Sequence, residues 1–200
     1  MVEVVFRTVS ILSPLSEFKT KPMEPVKRLG SVNGVVVGLL DANKPYGDVV
    51  MEVIKGYLKH QGVKGFISEV KPVVTRPAPK DMIKRLAKAD AVVLSFADCG
   101  SCSTALAMDQ VNLEKMGVPT VAIVTDYFAS HYARIAASLG APYAPIIVVK
   151  HPLGDAATRE MAEEKAKGIV NQVVEALTLP IEKLKEKYNA HKWIELRGEL

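Results

Sequence analysis

Two cysteines stand in the stretch DCGSCS, residues 98–103, and they are the only thiols in a chain of 200 residues. A thiol reacts as its thiolate, and the N-terminus of a helix favours that form by offering backbone N–H groups and a positive potential. The spacing lets Cys102 reach Cys99 if both lie on a first helical turn. Cys99 can then attack a substrate or a disulfide, and Cys102 can resolve the mixed disulfide. Gly100 allows a tight turn, and Ser101 or Ser103 is expected to cap the helix. Asp98 argues the other way, because a charged carboxylate beside a thiol raises its pKa; alternatively it donates or accepts a proton. Two blander readings stand beside this one. The cysteines can be small, half-apolar residues filling a junction. They can also be two of the three or more ligands of a metal, with Asp98, His131 or His151 supplying the rest. No second CxxC and no metal-ligand spacing links these residues, so no metal site is assigned.

The loop needs elements to hold it, and these are legible on both sides. Apolar runs at 34–40, 64–70, 91–97, 119–125 and 144–149 read as buried strands. Helical patterns at 47–62, 80–89, 104–117, 130–140 and 154–177 alternate with them. That alternation predicts a three-layer α/β/α fold with a mainly parallel five-stranded sheet, flavodoxin-like or Rossmann-like. Such sheets bind ligands outside the carboxyl ends of their strands. The loops to inspect are therefore 41–47, 71–79, 98–103, 126–130 and 150–154.

If the strand order is 2-1-3-4-5, the first of these loops lies beside the cysteine loop. It carries Asp41, Asn43 and Lys44, and Lys44 can steady a Cys99 thiolate or bind a substrate carboxylate. The bland alternative is a polar turn in which Pro45 opens a helix. Asp126 either bonds a substrate or caps the next helix. His151, after the last strand, can take or give a proton. His131 is a weaker candidate for the same work, Arg76 is a candidate anion clamp, and Asp109 has no assigned role. Neither G-x-G-x-x-G nor G-x-x-x-x-G-K-[ST] occurs, so nucleotide binding lacks its usual signature. A flavin stays compatible with the pattern, but no cofactor is predicted.

Composition bounds the rest. With 48% hydrophobic and 24% charged residues the chain is globular, and no apolar run reaches membrane-span length. The expectation is a soluble cytoplasmic protein, whose thiols stay reduced by default. A net charge of +4, with basic residues scattered among acidic ones, gives no nucleic-acid footprint. Residues 1–33 read as an extended arm, 34–178 as the α/β domain and 179–200 as a helical tail. The apolar start of the arm suggests an added edge strand or a subunit contact, hence a homo-oligomer, dimer or larger.

The motif also carries a resemblance. DCGSCS resembles the signature of the UGSC family, named for a selenocysteine-Gly-Ser-Cys motif. VVVGLLDANKP (35–45), the block from residue 89 to 128 and VVKHPLG (148–154) are similar to that family's opening strand and loop, central block and His-Pro stretch. The resemblance covers roughly residues 34–177. The family's first motif position is selenocysteine or cysteine, which implies that Cys99 is the nucleophile and Cys102 its partner. Similar motifs occur in selenoproteins of glycine and proline reductases, which implies reductase-like chemistry. The leading expectation is a thiol-dependent redox enzyme acting on a small molecule or a disulfide. Catalysis would rest on Cys99, Cys102, Asp98 and His151. Lys44, Asn43, Asp41, Ser101, Ser103 and Asp126 would bind substrate. A thiol reductant, small or protein, would restore the pair. The alternatives are a non-redox cysteine nucleophile of lyase, desulfurase or isomerase type acting on a small acid, and a redox-sensing module.

Overall fold

A computed structural model describes residues 20–190 and residue 192. The apolar run 2–12, His191 and Trp193 lie outside the described residues, and with them the edge-strand and tail-anchor expectations. Among the described residues five strands form one sheet: β1 (Val36–Asp41), β2 (Gly65–Val70), β3 (Ala91–Ala97), β4 (Thr120–Thr125) and β5 (Ile146–Val149). Their order is β2-β1-β3-β4-β5 and every pairing is parallel. The helices are α1 (Gly47–His60), α2 (Lys80–Leu86), α3 (Gly100–Lys115), α4 (Asp126–Ser138), α5 (Arg159–Thr178) and α6 (Ile181–Lys187). The chain is thus the expected three-layer α/β/α fold.

Strand residues alternate between two cores because successive side chains leave opposite faces of a sheet. Val37, Leu39, Val93 and Ile123 face Ile54 and Leu58 of α1 and Ala166, Val173 and Leu177 of α5. Leu40, Val92, Leu94 and Val124 face Leu86 of α2, Leu106 and Leu113 of α3 and Tyr132 of α4. Each fully buried leucine contributes on the order of 2 kcal/mol. The Tyr132 hydroxyl, wholly buried, donates to Gln110 Oε1 at 3.0 Å, and Gln110 Nε2 donates to the Pro145 carbonyl at 2.9 Å. One polar chain therefore ties α4 to α3 and to the entry of β5.

The described part of the arm docks at the amino edge of the sheet, away from the cysteines. Arg28 donates to the Thr120 carbonyl at 3.0 Å and to Glu114 Oε1 at 2.9 Å. Glu114 also accepts from the Thr120 amide at 2.9 Å and hydroxyl at 2.6 Å. Leu29 N–H donates to Leu177 O at 2.9 Å. Among the described residues no helix is long and apolar enough to cross a membrane.

Several boundaries differ from the sequence reading, and each difference has a local cause. Pro45 does not open α1, which begins at Gly47 after Tyr46 in the left-handed region (φ 64°). α4 follows β4 without a loop: Thr125 occupies the N-cap position and Asp126 is the first helical residue rather than the cap. α5 starts at Arg159, five residues later than expected, capped by Thr158. Gly154 and Asp155, ahead of it, bond instead to Asp98 and Lys44.

Candidate active site

α3 begins at the carboxyl end of β3, at the centre of the sheet. Cys99 itself is its N-cap, in extended geometry, so neither serine fills that place. The Cys102 amide donates to Cys99 Sγ at 3.3 Å, and the Cys99 amide donates to Cys102 Sγ at 3.1 Å. The two sulfurs thus make the reciprocal bonds that a capping box ordinarily makes with oxygens. Their Cα atoms are 5.5 Å apart, the sulfurs adjoin, and the separation suits a disulfide. Cys102 is 1% exposed, whereas Cys99 is half-buried. Ser103 is buried and donates to the Cys99 carbonyl at 2.6 Å, while exposed Ser101 places its hydroxyl 3.9 Å from Cys99 Sγ. The arrangement offers one accessible sulfur and one hidden sulfur, each in front of a backbone donor.

Asp98 connects this turn to two other loops. The strand order reverses between β1 and β3, which sets the loop after β1 beside the cysteines. From that loop Lys44 Nζ lies 2.9 Å from Asp98 Oδ1 and 2.7 Å from Asp155 Oδ2. Burial alone would lower the Lys44 pKa, but the Asp155 and Asp98 carboxylates hold the ammonium above its ordinary range. Asp98 Oδ2 accepts the Gly154 amide at 2.9 Å. The negative charge beside Cys99 is thus partly offset by a cation it shares with Asp155 and by a backbone donor, which weakens its opposition to a thiolate.

The loop after β1 is held in a specific shape. Asn43 and Tyr46 both adopt φ of 64°, unusual for residues with a Cβ. Asp41 Oδ1 accepts the Asn43 amide at 2.8 Å, and burial, aided by Asp48, raises the Asp41 pKa. Ser95, wholly buried where β3 shifts register against β4, accepts the Ala42 amide at 2.8 Å. A bulge of this kind commonly re-aims side chains next to a site.

Gly154 closes the other side. A Cβ there would fall 2.6 Å from Asp98 Oδ2, 3.1 Å from Lys44 Cε and 3.2 Å from the Phe96 ring. Gly154→Ala is expected to push this loop off Asp98 and Lys44, at roughly 1–3 kcal/mol. Thermal denaturation should register it as a midpoint lower by several degrees, and an unchanged midpoint would mean that the loop is not packed as described.

A second cluster lies beside the first. Asp126 accepts from Lys150 Nζ and from the His151 amide, each at 2.9 Å. The Lys150 ammonium, with the His151 and Tyr127 amides, holds the Asp126 carboxyl below its usual range. His151 Nδ1 lies 3.3 Å from Thr125 Oγ1, and its ring packs 4.9 Å from Tyr127. Thr125 reaches back to the Ala97 carbonyl at 3.5 Å, linking the two clusters. His131 sits nearer the motif than its sequence position suggests. Its Nε2 is 3.1 Å from the Gly100 carbonyl and 2.9 Å from Thr104 Oγ1.

Asp98, Cys99, Cys102 and Lys44 are thus brought together, with Ser101 at the rim. Asn43 is exposed on the neighbouring turn, and Asp41 supports that turn. Asp126 and His151 form a flanking group. Arg76 is exposed in the loop 71–79. Sequence reasoning passed over Gly154, Asp155, Ser95 and Thr125. It also passed over Lys71, whose Nζ meets Asp109 Oδ2 at 2.7 Å with both side chains 0% exposed. A groove of about 360 Å³ lined by Lys80, Lys84, Lys115 and Met116 lies toward the far end of α3 and adds nothing here.

The ligand atoms of Asp98, Cys99 and Cys102 lie within 4.8 Å of one another, close enough to hold an ion. Two sulfurs and a carboxylate suit a borderline or soft metal. Such an ion would compete with Lys44 for Asp98.

No curated protein matches the chain. The model of the UGSC family matches residues 10–179. That span takes in every strand, both site clusters and the cysteine turn, so the chain belongs to the UGSC family.

Proposed function

We propose that this protein is a thiol-dependent reductase in which Cys99 attacks and Cys102 resolves. The observation that carries the reading is the asymmetry of the pair. One sulfur is reachable from solvent, the other is buried against it, and each faces a backbone N–H at the start of a 16-residue helix. Donors so placed favour a thiolate.

With a disulfide R–S–S–R′ the steps balance as follows. The Cys99 thiolate forms a bond to one substrate sulfur, the substrate S–S bond breaks, and R′S⁻ leaves to take a proton. The Cys102 thiolate then attacks Cys99 Sγ, and RS⁻ leaves. The substrate gains two electrons, and the protein keeps an internal disulfide. An external dithiol, small or on a protein, returns the two electrons by the same exchange. Lys44 stays paired with Asp98 throughout, and His131, at the Gly100 carbonyl, is placed at the turn to handle a leaving-group proton.

The test is stoichiometric. Reduced protein mixed with an aromatic disulfide, without reductant, should release two thiol equivalents per chain in two phases. An added dithiol should then support turnover. One equivalent only, with a stable mixed disulfide on Cys99, would contradict a resolving Cys102 and favour a one-thiol nucleophile.

A further inference from the structure

Lys44 holds two carboxylates of very different standing. Asp98 is 4% exposed at its side chain, is fixed by the Gly154 amide, and shares the turn with Cys99. Asp155 is 70% exposed, on the irregular segment between β5 and α5. The lysine side chain itself is only 7% exposed, so the ammonium that both acids share is almost wholly withdrawn from water.

An exposed carboxylate gains little by pairing, because water and salt screen it and holding the side chain in place has an entropic cost. The buried cation is in the opposite position. It needs its anionic neighbours, and it retains them whether the second carboxylate belongs to Asp155 or to something else. Exchange of one carboxylate for another at that place changes neither the local charge nor the number of hydrogen bonds. Asp98 links this place to the thiols: one of its carboxylate oxygens is 2.9 Å from Lys44, and a carboxylate oxygen lies within 4.8 Å of both sulfurs.

We propose that the Asp155 position on Lys44 is the carboxylate subsite of the enzyme, and that its substrate is a small carboxylic acid carrying its reducible group a few bonds away. The proposal rests on the reading of Cys99 as the nucleophile and names the class of molecule presented to it. Asp155 acts as a resident stand-in. It holds Lys44 charged in the empty site, moves into water when the substrate carboxylate arrives, and selects against neutral molecules that cannot replace it. The Gly154 amide stays on Asp98 during the exchange, so the loop turns at its exposed end only.

Two probes test this separately from the thiol chemistry. Propionate binding to the reduced protein, followed by saturation-transfer NMR, asks about the subsite alone. The ratio of the alkylation rates of Cys99 by iodoacetate and by iodoacetamide asks whether a carboxylate is guided to the sulfur. Asp155→Asn should tighten propionate binding on the order of tenfold, the factor by which a competitor holding the place about nine-tenths of the time weakens it. The iodoacetate-to-iodoacetamide ratio should rise by a similar factor in Asp155→Asn. Lys44→Met should abolish both effects. If Lys44→Met fails to fold, Asp155→Asn still decides. Equal propionate affinity in wild type and Asp155→Asn, or binding in neither, overturns the proposal. Normal iodoacetamide labelling with no propionate effect overturns the subsite and leaves the thiol reading intact. Propionate binding with an inert Cys99 supports the subsite and overturns the thiol reading.

Discussion

Cys99→Ser is expected to release no thiol from an aromatic disulfide, and Cys102→Ser is expected to release one equivalent and then stop. A serine hydroxyl stays protonated where a thiol at a helix start does not, so the first substitution removes the nucleophile. Turnover should fall on the order of a thousandfold or more, as when a nucleophile is deleted elsewhere. The buried position of Cys102, 1% exposed, keeps it from replacing Cys99 in the first step. Cys102→Ser keeps a side chain at the capping position and should fold, but it lacks the second thiolate. The protein should therefore accumulate as a mixed disulfide at Cys99, seen as a single adduct by intact mass spectrometry. Full turnover by Cys102→Ser would contradict the two-thiol scheme directly.

Lys71→Met is expected to destabilise the fold strongly. Lys71 and Asp109 pair at 2.7 Å with neither side chain exposed, and Asp109 Oδ1 also accepts the Ala78 amide at 2.7 Å. Removing the cation leaves a buried carboxylate with one N–H donor, at a cost of about 3–5 kcal/mol. For a chain of this size that is a drop of roughly 10 °C in the melting midpoint. Replacing both residues with apolar side chains should recover most of the loss, since a buried pair is often no better than a well-packed apolar one.

The effect should depend on pH in a definite direction. Burial raises the Asp109 pKa, against the opposing pull of Lys71 and the Ala78 amide. A carboxyl whose folded pKa exceeds its unfolded value holds its proton more tightly when folded. Its contribution to stability is complete below the unfolded pKa and is lost as pH rises through the folded pKa. Without Lys71 the folded value moves higher still. The deficit of Lys71→Met should then be greatest near neutral pH and shrink toward the carboxylate range. A deficit independent of pH would mean that removing Lys71 leaves the proton affinity of folded Asp109 unchanged.

The same residues show what the sequence makes legible. β3 coincides with the apolar run 91–97, and the other strands fall within two residues of theirs, because each strand is buried on both faces and reads as a continuous hydrophobic segment. The rule that ligands sit at the carboxyl ends of strands led from there to Lys44, Asp98 and the cysteines. The start of α3 was harder to read. Gly100, Ser101 and Ser103 look like loop residues, and nothing in their types says that two sulfurs will supply the cap. Gly154 and Asp155 read in sequence as the beginning of a helix, and the bonds that hold them elsewhere go to Asp98 and Lys44, more than fifty residues away. Lys71 and Asp109 each resemble an ordinary solvated charge, and their burial appears only when the loop after β2 folds over α3. His131 reads as a weak candidate for the same reason: α4 brings it to the Gly100 carbonyl from another element.

The most direct test of the account is the pH dependence of iodoacetamide alkylation of the fully reduced protein, with each cysteine followed by mass spectrometry. Cys99 should react first, with a rate that inflects clearly below the roughly 8.5 of a free thiol, and Cys102 should label only slowly or after unfolding. Slow labelling of both cysteines with no inflection below that value, or faster labelling of Cys102, would contradict an activated nucleophile at the start of α3.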